Sequence, residues 1–150
     1  MPGELGKRFR IHIESVRGRL DRITEEGAKE EVRPGGWRRK EALGHLIDSA
    51  LNNHQRFVRA ALDGSYQGPS YQQQGWVEAH GYWQFPWQAL VHHWWEQNDL
   101  LAHVVERIPE HRLEAECRVG DHDPVSLSFL ITDYLEHLDH HIAQIVGGPG

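Results

Sequence analysis

At 150 residues the chain is long enough to close a hydrophobic core and has the size of one domain. Acidic residues outnumber basic ones, 22 to 16, and the formal charge of −6 argues against a general nucleic-acid binder, which needs a basic face. The single cysteine, Cys117, excludes an intramolecular disulfide and a cysteine-based zinc site, and no apolar run approaches the ~20 residues of a membrane span.

The N-terminal Met-Pro-Gly-Glu-Leu-Gly-Lys-Arg lacks the apolar centre of a signal peptide, so a cytoplasmic location is expected by elimination. Residues 4 to 28 predict a first helix. Leu5, Phe9, Ile13, Val16, Leu20 and Ile23 recur at spacings of three and four and form one apolar stripe, with His12 at its edge. Gly27 and Pro34-Gly35-Gly36 close it and make a turn. Residues 37 to 62 predict a second helix with Leu43, Leu46, Ala50, Phe57 and Ala61 inward. Beside that stripe His45, Ser49, Asn52 and Arg56 stay within about 60° of one another around the helix, so they line one groove. Asn53 lies nearer the apolar centre, and Asp48 is displaced outward and is a poorer ligand candidate.

Residues 63 to 85 are punctuated by glycines and studded with Tyr66, Tyr71, Trp76, Tyr82, Trp83 and Phe85. A connection of that length predicts some structure of its own, a short helix over 72–80 within an aromatic crossover packed on the bundle. Pro86 starts a third helix whose stripe is Trp87, Leu90, Val91, Trp94, Leu101, Val105 and Ile108. Asn98 falls inside this stripe and is expected to bond across to a neighbouring helix. Residues 110 to 124 are charged and turn-like. Cys117 is expected to be inert there, and His122 to belong to a turn.

A fourth helix is expected from Val125 to Val146, stopped by Gly147-Gly148-Pro149. Leu127, Leu130, Ile131, Tyr134, Leu138, Ile142 and Ile145 form its stripe, with His141 inside it and His137 and Gln144 at its edge. His137 and His141 stand one turn apart on one face, where two imidazoles can share a divalent metal; His140 points away. With 12 histidines in the chain, such a pair gains weight only from a third ligand. His45 can supply one if the second and fourth helices run antiparallel. Four amphipathic helices predict an all-α four-helix bundle in a single domain, and no strand-like alternation competes.

Trp37-Arg-Arg-Lys-Glu-Ala-Leu-Gly-His45-Leu-Ile-Asp48, with Asn52-Asn53-His54-Gln55-Arg56-Phe57 after it, resembles the second helix of the DinB-like superfamily. Phe129-Leu-Ile-Thr-Asp133-Tyr-Leu-Glu-His137-Leu-Asp-His140-His141-Ile-Ala-Gln144 resembles its last helix. Order and spacing agree over essentially the whole chain. One departure is Arg38, where many relatives carry a Ser or Thr cap. The resemblance implies an up-up-down-down bundle over residues 1–150 and a nickel- or zinc-type ion held by His45, His137 and His141. It further implies a YfiT-like metal-dependent hydrolase or a low-molecular-weight-thiol S-transferase acting on a small electrophile, often as a homodimer. The six tryptophans, many for one small core, also favour a homodimer.

Such an ion lowers the pKa of a bound water or thiol and makes it nucleophilic. Asp133, one turn before His137, is expected to orient that ring through its second nitrogen. Asn52, Arg56 and Gln144 are further candidates for contacts to the ligands or the substrate. No residue stands out as general base. The alternative is a non-catalytic metal-binding stress-response bundle. A small-molecule substrate is expected, and neither nucleic acid nor membrane as partner.

Overall fold

The computed structural model describes residues 1–147. α1 (Pro2–Asp21) begins on a proline whose fixed φ suits the first turn, and it buries Phe9, Ile13, Val16 and Leu20. The first helix does not continue to residue 28 as expected. The Thr24 hydroxyl accepts the Gly27 N–H at 3.0 Å and caps a separate short helix, α2 (Glu25–Ala28). α3 (Arg39–Asp63) follows Arg38, whose side chain has no acceptor to offer. The other half of the cap survives, because Glu41 Oε1 accepts the Arg38 N–H at 3.1 Å. α3 ends on Gly64 in the left-handed region, with φ 82°. α4 (Gln73–His80), α5 (Trp87–Arg107) and α6 (Leu127–Gly147) complete the helices. The stop expected at Gly147-Gly148-Pro149 lies partly outside the described residues.

α1 packs on α5, α5 on α3, α3 on α6, and α6 on α1, closing a four-membered ring. Contacts at the helix ends fix the directions. Trp87 Nε1 donates to Leu20 O at 2.9 Å, and its backbone N–H to Glu25 at 2.8 Å. Lys40 Nζ meets Glu25 at 2.5 Å, and Arg39 donates to Ile145 O at 2.7 Å and to Gly27 O at 2.8 Å. The end of α1, the starts of α3 and α5 and the end of α6 therefore share one pole. The direction order is up-down-down-up rather than the up-up-down-down that the resemblance implies. Residues 22–38 stay at that pole and act as a hairpin connection, and only residues 64–86 run the length of the bundle.

The crossover carries β1 (Ser65–Gly68), α4 and a 3₁₀ turn over Tyr82–Gln84. β1 pairs in parallel with β2 (Glu116–Val119), Tyr66 opposite Cys117, and β2 pairs antiparallel with β3 (Val125–Ser126). No strand was expected. Runs of four and two residues are too short to show alternation, and the main-chain pairing of 65–68 with 116–119 is long-range. It buries Cys117, and burial raises the thiol above its usual pKa, in line with the inert role expected. Asn98 also behaves as expected: it accepts the Tyr134 hydroxyl of α6 at 2.6 Å and donates to Trp94 O. The tryptophans do not require a second copy, since Trp87 and Trp94 are fully buried and Trp83 alone is largely exposed.

The crossover also seals the outer face of α3. Residues 40 and 42 to 50 are all buried, so the second helix has no solvent face over this stretch. Asp48 is therefore not displaced outward as expected. It is fully buried and accepts the Tyr82 hydroxyl at 2.7 Å and sits 2.9 Å from His80 Nδ1. The Tyr82 ring lies where a Cβ on Gly44 would stand, 2.0 Å from Cδ2. Overpacking of this kind costs about 1–3 kcal/mol, more than the ~1 kcal/mol that Ala gains over Gly in a helix. Gly44→Ala should lower the unfolding free energy by up to about 2 kcal/mol in urea titrations. Gly18→Ala, with nothing within 4 Å of its Cβ, should not lower it; equal effects would remove this account of the crossover.

Candidate metal centre

His45 sits near the start of α3, and His137 and His141 lie in the second half of α6. Because α3 and α6 are adjacent and antiparallel, the three rings converge. Centroids lie 5.1 Å (45–137), 4.8 Å (45–141) and 4.6 Å (137–141) apart, and one nitrogen from each falls within 4.8 Å of the others. His45 Nε2 and His137 Nε2 are 3.3 Å apart. Two imidazole nitrogens each 2.0–2.1 Å from a common ion stand roughly 2.8–3.0 Å apart at octahedral and 3.3–3.4 Å apart at tetrahedral angles, so this spacing fits the tetrahedral case.

Electrostatics favour the protonation state that ligands need. His45 is completely buried, and burial, then the neighbouring His141 and His137, push its pKa down to about 3. His141 is lowered to about 4 by burial first, and His137 is lowered mainly by burial. All three are neutral near pH 7. His45 Nδ1 and His141 Nδ1 are also buried without a hydrogen-bond partner. Crowded neutral nitrogens with orphaned ring atoms suit a borderline divalent cation better than they suit one another. Trp37 covers the cluster, its ring 4.9 Å from His45 and 6.4 Å from His141, and its indole N–H donates to Gln74 at 2.9 Å.

Two clefts flank the triad. One of about 380 Å³ is lined by His137, Asp133, Ser49, Asn53, Arg56 and Tyr71, with an apolar wall from α6 and β2. The other, about 550 Å³, opens beside His141 between Trp37, Arg33, Gln74 and Gln144. Asp133 shares the first cleft with His137 and its charge favours the protonated ring. It forms no ion pair or hydrogen bond with His137 among the described residues, so the expected direct orientation is not made. Asn52 spends its amide on Asp48 O at 2.9 Å and lines neither cleft; Asn53 takes its place. Arg56 lines the first cleft, and Gln144 the second beside His141, whose charged form it favours. Sequence reasoning did not single out Tyr71 or Trp37 for the site. Their signal was only the aromatic density of the crossover and of the turn before α3.

The depressed histidines make stability pH-dependent. An unfolded His titrates near 6.5, so between that value and the folded pKa the unfolded chain binds more protons. The contribution is complete above about pH 6.5 and is lost as the pH falls toward 4 and 3. Asp48, raised by burial, acts in the opposite sense, so the test is a difference between variants. In chelator, wild type should lose up to about 2 kcal/mol more than His45→Leu between pH 6.5 and 5, by urea denaturation. Equal losses would show that His45 is not held neutral by the fold.

The sequence model of the DinB superfamily matches residues 8–145. A protein of Oceanobacillus iheyensis named "Putative metal-dependent hydrolase" is 23% identical over 137 residues, which is 89% of this chain and 79% of that protein. Among solved structures, YfiT from Bacillus subtilis superposes with a TM-score of 0.82 at 19% identity, over 95% of this chain and 84% of that one. It is described as a probable metal-dependent hydrolase with an unusual four-helix bundle topology. With a family match over nearly its whole length and the same bundle fold, the chain belongs to the DinB superfamily.

Proposed function

We propose that this chain is a metal-dependent hydrolase of small molecules, built as one DinB-like domain, whose ligands are His45, His137 and His141. The convergence of three neutral imidazoles from α3 and α6 beside a cleft carries this reading. The names of the relatives support it. Nickel or zinc suits a three-nitrogen donor set with positions left open. When bound, such an ion supplies Lewis acidity, making a nucleophile available at neutral pH and polarising an acyl or phosphoryl oxygen.

The chain's own residues do the rest. Burial keeps the imidazoles unprotonated, so no proton competes for the ligand nitrogens above about pH 6.5. Trp37 shields the triad on one side, and Ser49, Asn53 and Tyr71 offer polar groups to a substrate on the cleft wall. Burial raises the Tyr71 hydroxyl above its usual pKa and keeps it a donor. Asp123 and Asp133, both exposed, put carboxylates on the rim of the same cleft. No helix among the described residues is long and apolar enough to cross a membrane.

The test is elemental analysis of untagged protein, followed by assay of the metal-loaded protein against esters, amides and phosphoesters. Wild type should hold about one equivalent of a transition metal, and His137→Ala with His141→Ala should lose it. Turnover should fall more than about 100-fold in that variant, beyond the usual cost of removing a residue outside the ligand set. Metal without turnover would favour the stress-response bundle, and turnover that needs an added low-molecular-weight thiol would favour S-transfer. No metal even after incubation with nickel or zinc would sink the reading.

A further inference from the structure

The cleft beside His137 contains a buried cation that the fold does not neutralise. Arg56 is 7% exposed, on the face of α3 that also carries His45 and Ser49. Its one hydrogen bond among the described residues runs from Nη2 to Pro69 O at 3.3 Å, long for a charged donor, which ordinarily reaches 2.7–2.9 Å. Its guanidinium carbon lies 5.9 Å from the Tyr71 ring centroid. None of the ion pairs among the described residues includes it. The fold treats other cations at this depth differently: buried Lys40 has Glu25 at 2.5 Å, and Arg39 has two carbonyls and Glu30. An unpaired buried charge is costly, and one weak bond to a loop carbonyl does not offset it.

We propose that the cleft takes a small organic carboxylate, its anionic end on Arg56 and its reacting group toward His137. This assignment rests on the hydrolase reading for the second half only. The guanidinium fork matches a carboxylate, and Ser49, Asn53 and Tyr71 add neutral polar groups around it. Val119, Val125, Phe129 and Leu130 give the ligand's body an apolar wall. The volume of about 380 Å³ is that of a small-molecule site. Exposed Asp123 and Asp133 line the same cleft, so its field favours a monoanion over a dianion such as a phosphate monoester. Arg56 follows His45 by eleven residues, about 16 Å of helix rise, and its side chain leans back toward the N-terminus. The anionic and reacting ends are therefore several bonds apart.

Calorimetric titration with hexanoate, hexanamide and hexyl phosphate tests this in zinc-loaded and in chelator-treated protein. Hexanoate should bind at least about tenfold tighter than hexanamide, the usual worth of a charged hydrogen bond, and tighter than hexyl phosphate. The preference should survive chelation, vanish in Arg56→Gln and persist in part in Arg56→Lys. Zinc stoichiometry should not change in either variant. Protection measures the same contact without a variant: hexanoate, and not hexanamide, should slow phenylglyoxal modification of Arg56 in wild type. Equal affinity for the acid and the amide, a preference intact in Arg56→Gln, or one that disappears with the metal would overturn the assignment. Tighter binding of hexyl phosphate would replace carboxylate by phosphate. Failure to take up zinc with the Arg56-dependent preference intact would remove the hydrolase reading and leave the carboxylate site.

Discussion

The antiparallel register of α3 on α6 is the constraint on which the site depends. It is fixed at three points: Arg39 on the Ile145 carbonyl at one pole, His45 against His137 and His141 between, and Phe57 against Tyr134 toward the other pole. A one-residue slip would rotate His45 by about 100° and break the convergence. The outer contacts are a charged side chain on helix-end carbonyls and an aromatic pair in the core. Neither needs a metal, so the imidazoles are held together by packing that the bundle would form anyway. That explains how three mutually repelling basic groups can be kept close: the fold keeps them neutral, and they repel only when protonated.

The crossover contributes a different kind of order. In a bundle with directions up-down-down-up, one connection must travel the full length, and here it does so over the outer face of α3. Gly44 leaves room for the Tyr82 ring, Tyr82 and His80 reach Asp48, and Tyr71 stands at the first cleft. A helix that would otherwise be half solvated becomes buried on all sides around His45. Burial lowers the pKa of His45, and the neighbouring His141 and His137 add to the effect.

This division explains what was legible in the sequence. Helical periodicity reports which residues face a core, so the four long helices, the inward His141 and the bridging Asn98 could be read directly. Convergence of His45 with the pair needed the helix directions, which periodicity does not contain; the family resemblance implied that these three histidines meet, yet gave a direction order other than the one the helix ends show. Asp48 was misplaced because periodicity assumes that the face opposite the stripe meets water, and the crossover removes that water. The sheet escaped because strands of two and four residues are too short to show alternation, and β1 owes its pairing to a partner some fifty residues away. Asn52 and Asn53 differ by one residue in sequence but by about 100° in direction, and only the packed structure decides which of them reaches the cleft.

Buried charge distinguishes positions that build the fold from positions kept for a ligand. Lys40 and Arg39 are paired within the chain, and their contacts join α3 to α2 and α6 at one pole. Asp48 is held by two donors, and the crossover is tied down through it. These charges complete the architecture. His45, His141 and Arg56 have incomplete partners instead, and Arg56 shares its cleft with the third imidazole, His137. A cation among the imidazoles and an anion on Arg56 would each relieve one of these unfavourable terms.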